Sequence, residues 1–257
     1  MDILKDKIIL FLIIILLVLI SAGFAAYRNG LFGQISLNEG GVIIYDIDSA
    51  TKVFANGNSL NVTKTANGNL VKVPPGRIEI IVAKDNFWPW VKYVNVDAGG
   101  LSEIYPFLVP KQAKIDAVMS NDPEYDKIMS LKSAKPPYSA SPIISSDATT
   151  AIWAEDGTIF AKWLAPTTPP TAFCLEKCQP VINAFHTDQP IRNLLYFKDR
   201  NDVILVAVGQ FIYALELDRR PFQNFEPVYQ GNEPNMFELA DGSIYLLDAG
   251  LLGELKF

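Results

Sequence analysis

The sequence predicts a mainly β protein held to a membrane by one N-terminal helix, with a small β-sandwich followed by a block of repeated hairpin units. Three observations carry this reading. Ile8 to Ala26 is an unbroken apolar run. From Asn29 onward, short β-branched and aromatic stretches alternate with Gly, Pro and Asn turn pairs about every ten residues. After Ser141, a turn followed by an Ile-aromatic pair recurs three times.

The apolar run spans roughly 28 Å as a helix, enough to cross the hydrocarbon core of a bilayer. Gly23 and Ala25 would suit signal-peptide cleavage, but the run is longer than the ~7–15 residues of a signal-peptide core, which favours an uncleaved anchor over residues 8–27. No cysteine lies near it, so a lipoprotein signal is excluded. Lys5 and Lys7 precede the run and only Arg28 follows closely, which places residues 1–7 in the cytoplasm and the bulk of the chain outside it. The bilayer is thus the first expected partner.

Composition limits the rest. Of 257 residues 49% are hydrophobic, which suffices for a packed core. Net charge is −6 and the Lys and Arg residues are scattered, so no basic stripe exists to neutralise phosphates and nucleic acid is not an expected partner. Cys174 and Cys178 form a Cys-x-x-x-Cys pair. Zinc needs four ligands, and even with His186 the pair reaches three, so a local disulfide in an oxidising compartment is the better reading.

Residues 28–110 read as the sandwich. Leu31–Ile35, Val42–Ile47, Lys52–Ala55, Arg77–Ala83 and Val91–Val96 have strand character, and Gly40-Gly41 reads as a turn between the first two. Asn56-Gly57 and Asn67-Gly68 supply the positive φ angles of tight hairpins. Pro74-Pro75-Gly76 forces a reversal, and Gly99-Gly100 ends the last strand. Val53-Phe54-Ala55-Asn56-Gly57, then Val73-Pro74-Pro75-Gly76-Arg77-Ile78-Glu79-Ile80-Ile81-Val82, then Phe87-Trp88-Pro89-Trp90-Val91 resemble a PEGA domain. Ile47-Asp48-Ser49-Ala50 stands where that family has its name-giving tetrapeptide. The resemblance implies an envelope protein of bacteria or archaea, and it brings no catalytic residue with it.

Residues 111–140 read as a connector with a short helix. Asp122-Pro123-Glu124 is a helix start, and Tyr125, Ile128 and Met129 share one face. Lys135-Pro136-Pro137 stops the helix.

Residues 141–257 carry the repeat. Asp156-Gly157-Thr158-Ile159-Phe160, Gly209-Gln210-Phe211-Ile212-Tyr213 and Asp241-Gly242-Ser243-Ile244-Tyr245 each pair a turn with a strand. Their mean spacing is near the ~40–45 residues of a four-stranded propeller blade. Ser145-Ser146-Asp147 with Ala151-Ile152-Trp153-Ala154 resembles the opening of propeller-type blades. The block holds about three blades, whereas closed propellers use ~4–8, so an incomplete propeller is expected. Its open strand edges would suit a homo-oligomer.

Motifs for catalysis are missing. There is no Gly-x-Ser-x-Gly elbow, Walker A, dinucleotide-binding or His-Glu-x-x-His pattern. His186 reads as an exposed loop residue. Asp46 and Asp48, on one expected strand face, and Glu155/Asp156 would serve glycoside cleavage only at a defined separation across a cleft; solvated carboxylates are the simpler reading. Asp199-Arg200-Asn201-Asp202 lacks the pattern of calcium loops. Trp88 and Trp90 would share a face if extended and could stack on sugar rings, while core packing is the competing reading for Trp90. The expected function is a non-catalytic binding or scaffold module for an envelope protein or cell-wall glycan, without cofactor or metal. The alternative is a carbohydrate-active enzyme using Asp or Glu on the propeller loops.

Overall fold

The computed structural model describes residues 39–133, 141–174 and 177–257. The expected anchor at 8–27, the segment 1–7 and the strand expected at 31–35 lie outside the described residues. Among the described residues, no helix is long and apolar enough to cross a membrane. The described residues are mainly β, in five four-stranded sheets.

Two sheets make the sandwich. One has the order β4 (Thr63–Thr65), β5 (Gly68–Val73), β1 (Gly40–Ile44), β8 (Leu101–Ile104), and the other β3 (Asn58–Leu60), β2 (Lys52–Ala55), β6 (Gly76–Ala83), β7 (Trp90–Val96). β1 and β8 run parallel; the other pairs are antiparallel. Asn56-Gly57 takes φ 48° and 79° and closes the β2–β3 hairpin, as its residue types require. Val42, Ile44, Val71 and Val73 of one sheet meet Val53, Ile78, Ile80 and Val82 of the other in a common core.

Gly40-Gly41 is not a turn: both residues open β1 and are buried. A Cβ on Gly40 would sit 2.3 Å from Val96 Cγ1, so glycine serves close packing of β1 on β7 here.

Three sheets follow. The first is β10 (Ile143–Ile144), β11 (Thr150–Glu155), β12 (Thr158–Trp163), β13 (Val181–His186). The second is β14 (Ile191–Tyr196), β15 (Val203–Val208), β16 (Phe211–Glu216), β17 (Phe225–Gln230). The third is β18 (Asn235–Glu238), β19 (Ile244–Asp248), β20 (Leu251–Lys256), with β9 (Lys114–Ala117) as its outer strand. The stretch expected as a connector therefore holds a strand as well as α1 (Pro123–Ser133), and that strand completes the last sheet from the other end of the block.

The repeat is real, but its third register differs from the expected one. Ile159 and Ile212 sit in β12 and β16, the third strands of their sheets, whereas Ile244 sits in β19, a second strand. The matching third strand is β20, entered by Ala249-Gly250 at φ 46° and 89°. Leu252 is then the buried counterpart of Ile159 and Ile212.

The three sheets stack in layers. β15 is buried along its whole length: Val203, Leu205 and Ala207 join the core shared with the third sheet and the sandwich, while Ile204, Val206 and Val208 join the core beneath the first sheet. A strand covered on both faces has no polar side to show, which explains its continuous apolar run. The far face of the third sheet is closed by α1, whose Ile128 and Tyr125 pack on Leu239, Tyr245 and Leu252.

Candidate functional site

The site is a cleft of about 1100 Å³ between the sandwich and the distal sheets. It exists because the distal block seals one of two neighbouring sandwich edges and stands off from the other.

The sealed edge is β7. Its even-numbered residues pair with β6, so Val91 and Tyr93 point their backbone groups outward. Asn224, in the chain between β16 and β17, accepts from Val91 N–H through Oδ1 (2.9 Å) and donates to Val91 C=O through Nδ2 (3.1 Å). One side-chain amide thereby does the work of a neighbouring strand residue. Pro221 C=O accepts from Tyr93 N–H at 3.0 Å. Ser102 Oγ donates to Asn95 C=O at 2.7 Å.

Charge locks the same seam. Lys92 faces inward on β7 between Trp90 and Val94 and is 2% exposed. Its Nζ reaches Glu216 Oε2 at 2.5 Å and Asp218 Oδ2 at 3.6 Å, and donates to Asp218 C=O at 3.2 Å. Burial pushes the Glu216 carboxyl up, against the pull of the Lys92 ammonium and the Asn224 amide. Arg220 holds the other side of Asp218, donating from Nε at 2.9 Å and from Nη2 at 2.5 Å. A buried lysine is tolerable only when its charge is matched and its protons accepted, and both conditions are met here.

Among the described residues the open edge is β8. Gly41 N–H donates to Gly100 C=O and Tyr45 N–H to Ile104 C=O, so the even-numbered residues of this strand serve β1 and the odd-numbered ones face away. Leu101 is 63% exposed. Beyond it, Arg200 Nη2 donates to Tyr105 C=O at 2.8 Å and pairs with Asp202 through two bonds of 2.7 Å, which closes the end of the cleft. Glu103 lies on this rim and accepts from Tyr45 O–H at 3.2 Å and Tyr105 O–H at 3.4 Å. Burial together with Glu103 pushes the Tyr45 hydroxyl up to about 12.

The first distal sheet and the loop after it also line the cleft. Trp163 and Phe173 stand 6.1 Å apart, and Pro170 and Thr171 continue the wall. Cys174 and Cys178 form a disulfide immediately after Phe173, pinning the loop that presents it. On the sandwich side Arg77 lies over the Tyr93 ring at 4.3 Å. Trp90 Nε1 is buried without an acceptor among the described residues.

The sequence-singled residues scatter relative to this cleft. Trp90 lines its floor but is 3% exposed and belongs to the sandwich core. Trp88 lies outside it, half-buried, donating from Nε1 to Pro227 C=O at 3.2 Å with Lys111 over its ring. Asp46 and Asp48 do not share a strand face, because β1 ends at Ile44: Asp46 sits at φ 56° in a turn and Asp48 is bound by Lys84 at 2.6 Å. Glu155 ends β11 and Asp156 opens the β11–β12 turn, both exposed. His186 is exposed, its Nδ1 2.9 Å from Thr158 Oγ1 and its Nε2 3.8 Å from Asp188, on the rim of a hairpin rather than in the cleft. Among the described residues no group of three His, Cys, Asp or Glu side chains could hold a metal ion.

Sequence reasoning missed Lys92, Glu216, Asp218 and Asn224. The only local signal was a lysine at an inward position of an alternating strand.

No protein-family model matches the chain, and no curated protein matches it. Among solved structures it is distantly similar to auxiliary nutrient binding proteins from Bacteroides thetaiotaomicron and Bacteroides ovatus. Both are 12% identical, with TM-scores of 0.31 and 0.30, over 79% and 80% of this chain and 48% and 51% of theirs. The chain thus spans about half the length of those proteins. A candidate 6-phosphogluconolactonase from Bacteroides fragilis is also 12% identical, with a TM-score of 0.27 over 83% of this chain and 82% of its own. These likenesses are distant, and function is read from this chain's own residues.

Proposed function

We propose that the chain is a membrane-anchored, extracytoplasmic binding protein whose site is the cleft between a PEGA-like sandwich and three propeller-like sheets. The observation that carries this reading is a walled cleft at a rigid seam. Aromatic rings line it and three of its five carboxylates are paired with cations, a makeup that suits holding a ligand.

The enzyme alternative requires a carboxyl free to give or take a proton beside the substrate. Five acidic residues line the cleft: Asp46, Glu103, Asp202, Glu216 and Asp218. Asp202 and Asp218 are each held by an arginine, Glu216 by Lys92, and Glu103 by two tyrosine hydroxyls. That bonding leaves Asp46, in the turn after β1, as the one of the five without a bonded partner among the described residues, and favours binding over chemistry that needs a pair of free carboxyls. The anchor at 8–27 supports an outward-facing role beside the bilayer, with an envelope protein or cell-wall glycan as ligand.

Protease shaving of intact cells followed by fractionation tests this. The expected result is a membrane-bound chain cut from outside, with a tag fused before residue 1 protected. A chain recovered in the soluble cytosolic fraction, or one cut only after lysis, would refute the reading.

A further inference from the structure

We propose that Arg77 makes the cleft a site for an acidic glycan, holding the carboxylate of a uronic-acid residue beside the exposed ring of Phe222. This rests on the cleft being the binding site and names the chemical class it takes.

Four cations line the cleft, and three are already matched: Lys92 by Glu216, Arg200 by Asp202 and Arg220 by Asp218. Among the described residues Arg77 has no carboxylate partner. It is exposed on the outward face of β6, and Glu79, two residues along that face, forms no ion pair with it. What Arg77 has instead is a platform: its guanidinium lies over the Tyr93 ring at 4.3 Å. Tyr93 is in turn held by the distal block, its N–H donating to Pro221 C=O at 3.0 Å and its ring 5.4 Å from that of Phe222. A ring steadies a cation electrostatically and offers no oxygen to its N–H groups. The planar fork of Arg77 therefore stays available for the two oxygens of a carboxylate.

The surroundings choose among anions. Phe222 is 50% exposed, so the sandwich supplies the charge and the distal block supplies an open apolar ring beside it. A sugar acid carries a carboxylate and a face of C–H groups on one ring, which fits that pair. A bare phosphate or sulfate has nothing for Phe222 to hold. Asp46, which follows β1, and Glu103 on β8 come to the cleft from the other sandwich sheet, and their charges repel an anion on that side. The guanidinium on the β6–β7 sheet is then the place for the carboxylate, and Trp163 extends the aromatic lining for further sugar units.

The test is a binding screen on the intact, detergent-solubilised chain. The probes are oligosaccharides of galacturonate, glucuronate and mannuronate, with neutral glycans and peptides ending in a free carboxylate alongside. A uronate oligosaccharide should bind, and its methyl ester, which keeps the ring and loses the charge, should bind about tenfold or more weakly. Arg77→Gln should weaken the acid by the same factor, leave the ester unchanged and keep the urea midpoint, since one interaction cannot be lost twice. Phe222→Ala should weaken acid and ester alike, by about threefold or more. Acid and ester binding equally well would overturn the proposal, even if Arg77→Gln fails to fold, and so would an acid indifferent to a folded Arg77→Gln. Binding of neutral glycans alone, or of carboxylate peptides without uronates, would overturn it while leaving the cleft a binding site. No binding of any kind would remove both readings.

Discussion

At the scale of residues, the seam depends on a single buried cation. Removing one partner of a buried ion pair strands the other and costs about 3–5 kcal/mol. Lys92→Ala should therefore destabilise the chain by that amount in urea unfolding, leaving Glu216 buried without a counter-ion while Arg220 still holds Asp218. The double variant Lys92→Met, Glu216→Leu should recover much of the loss, because two apolar side chains need no partner. A second residue makes the protein acid-sensitive. Burial works to raise the Asp147 carboxyl, but hydrogen bonds from Ser145, Thr149 and Asn201 outweigh it and bring it down to about 2. A carboxyl held below its unfolded value stabilises the fold above that value, and the contribution disappears as pH falls from 3.8 toward about 2. Asp147 is exposed, so the contribution is at most ~1 kcal/mol. Asp147→Asn should flatten the decline of Tm across that window by lowering Tm near neutrality, by at most about 4 °C, and leave Tm at the acid end little changed.

At the scale of elements, β9 is the strand most dependent on distant sequence. It pairs with β20, where Gly253 lies opposite Ala117 and a Cβ would approach Ile115 Cγ2 to 2.3 Å and Asp116 O to 3.1 Å. Gly253→Val should push β9 off, raising amide exchange at residues 114–117 by about tenfold or more while β19 keeps its protection. The same comparison shows what could be read from sequence. Asn56-Gly57 and Asp156-Gly157 gave true hairpins because both residues of each pair accept positive φ, a local property. Ala249-Gly250 makes the same turn with an alanine in the left-handed region, so the third repeat was placed one strand early. β9 lay hidden because nothing near Lys114 announces a partner at Lys256. Gly40-Gly41 looked like a turn because a glycine kept for close packing and one kept for positive φ are the same letter. The cleft was hidden for the same reason as β9: Lys92 and Glu216 stand 124 residues apart in sequence.

At the scale of the whole molecule, the arrangement is a stack. α1 closes one end, the third sheet packs on the second and the second on the first, while the sandwich joins the core between the second and third. That core is continuous with the sandwich interior, so the Lys92 seam is the polar margin of an apolar contact. The contact fixes β7 against the distal sheets and sets β8 beside the cleft.

Hydrogen–deuterium exchange on the intact chain, resolved to single amides along β7 and β8, tests this division most directly. Val91 and Tyr93 should exchange slowly, held by Asn224 and Pro221, while Leu101 and Glu103 exchange near the rate of an unpaired strand. Slow exchange at Leu101 and Glu103 in the free chain, or fast exchange at Val91 and Tyr93, would contradict a sealed β7 and an open β8.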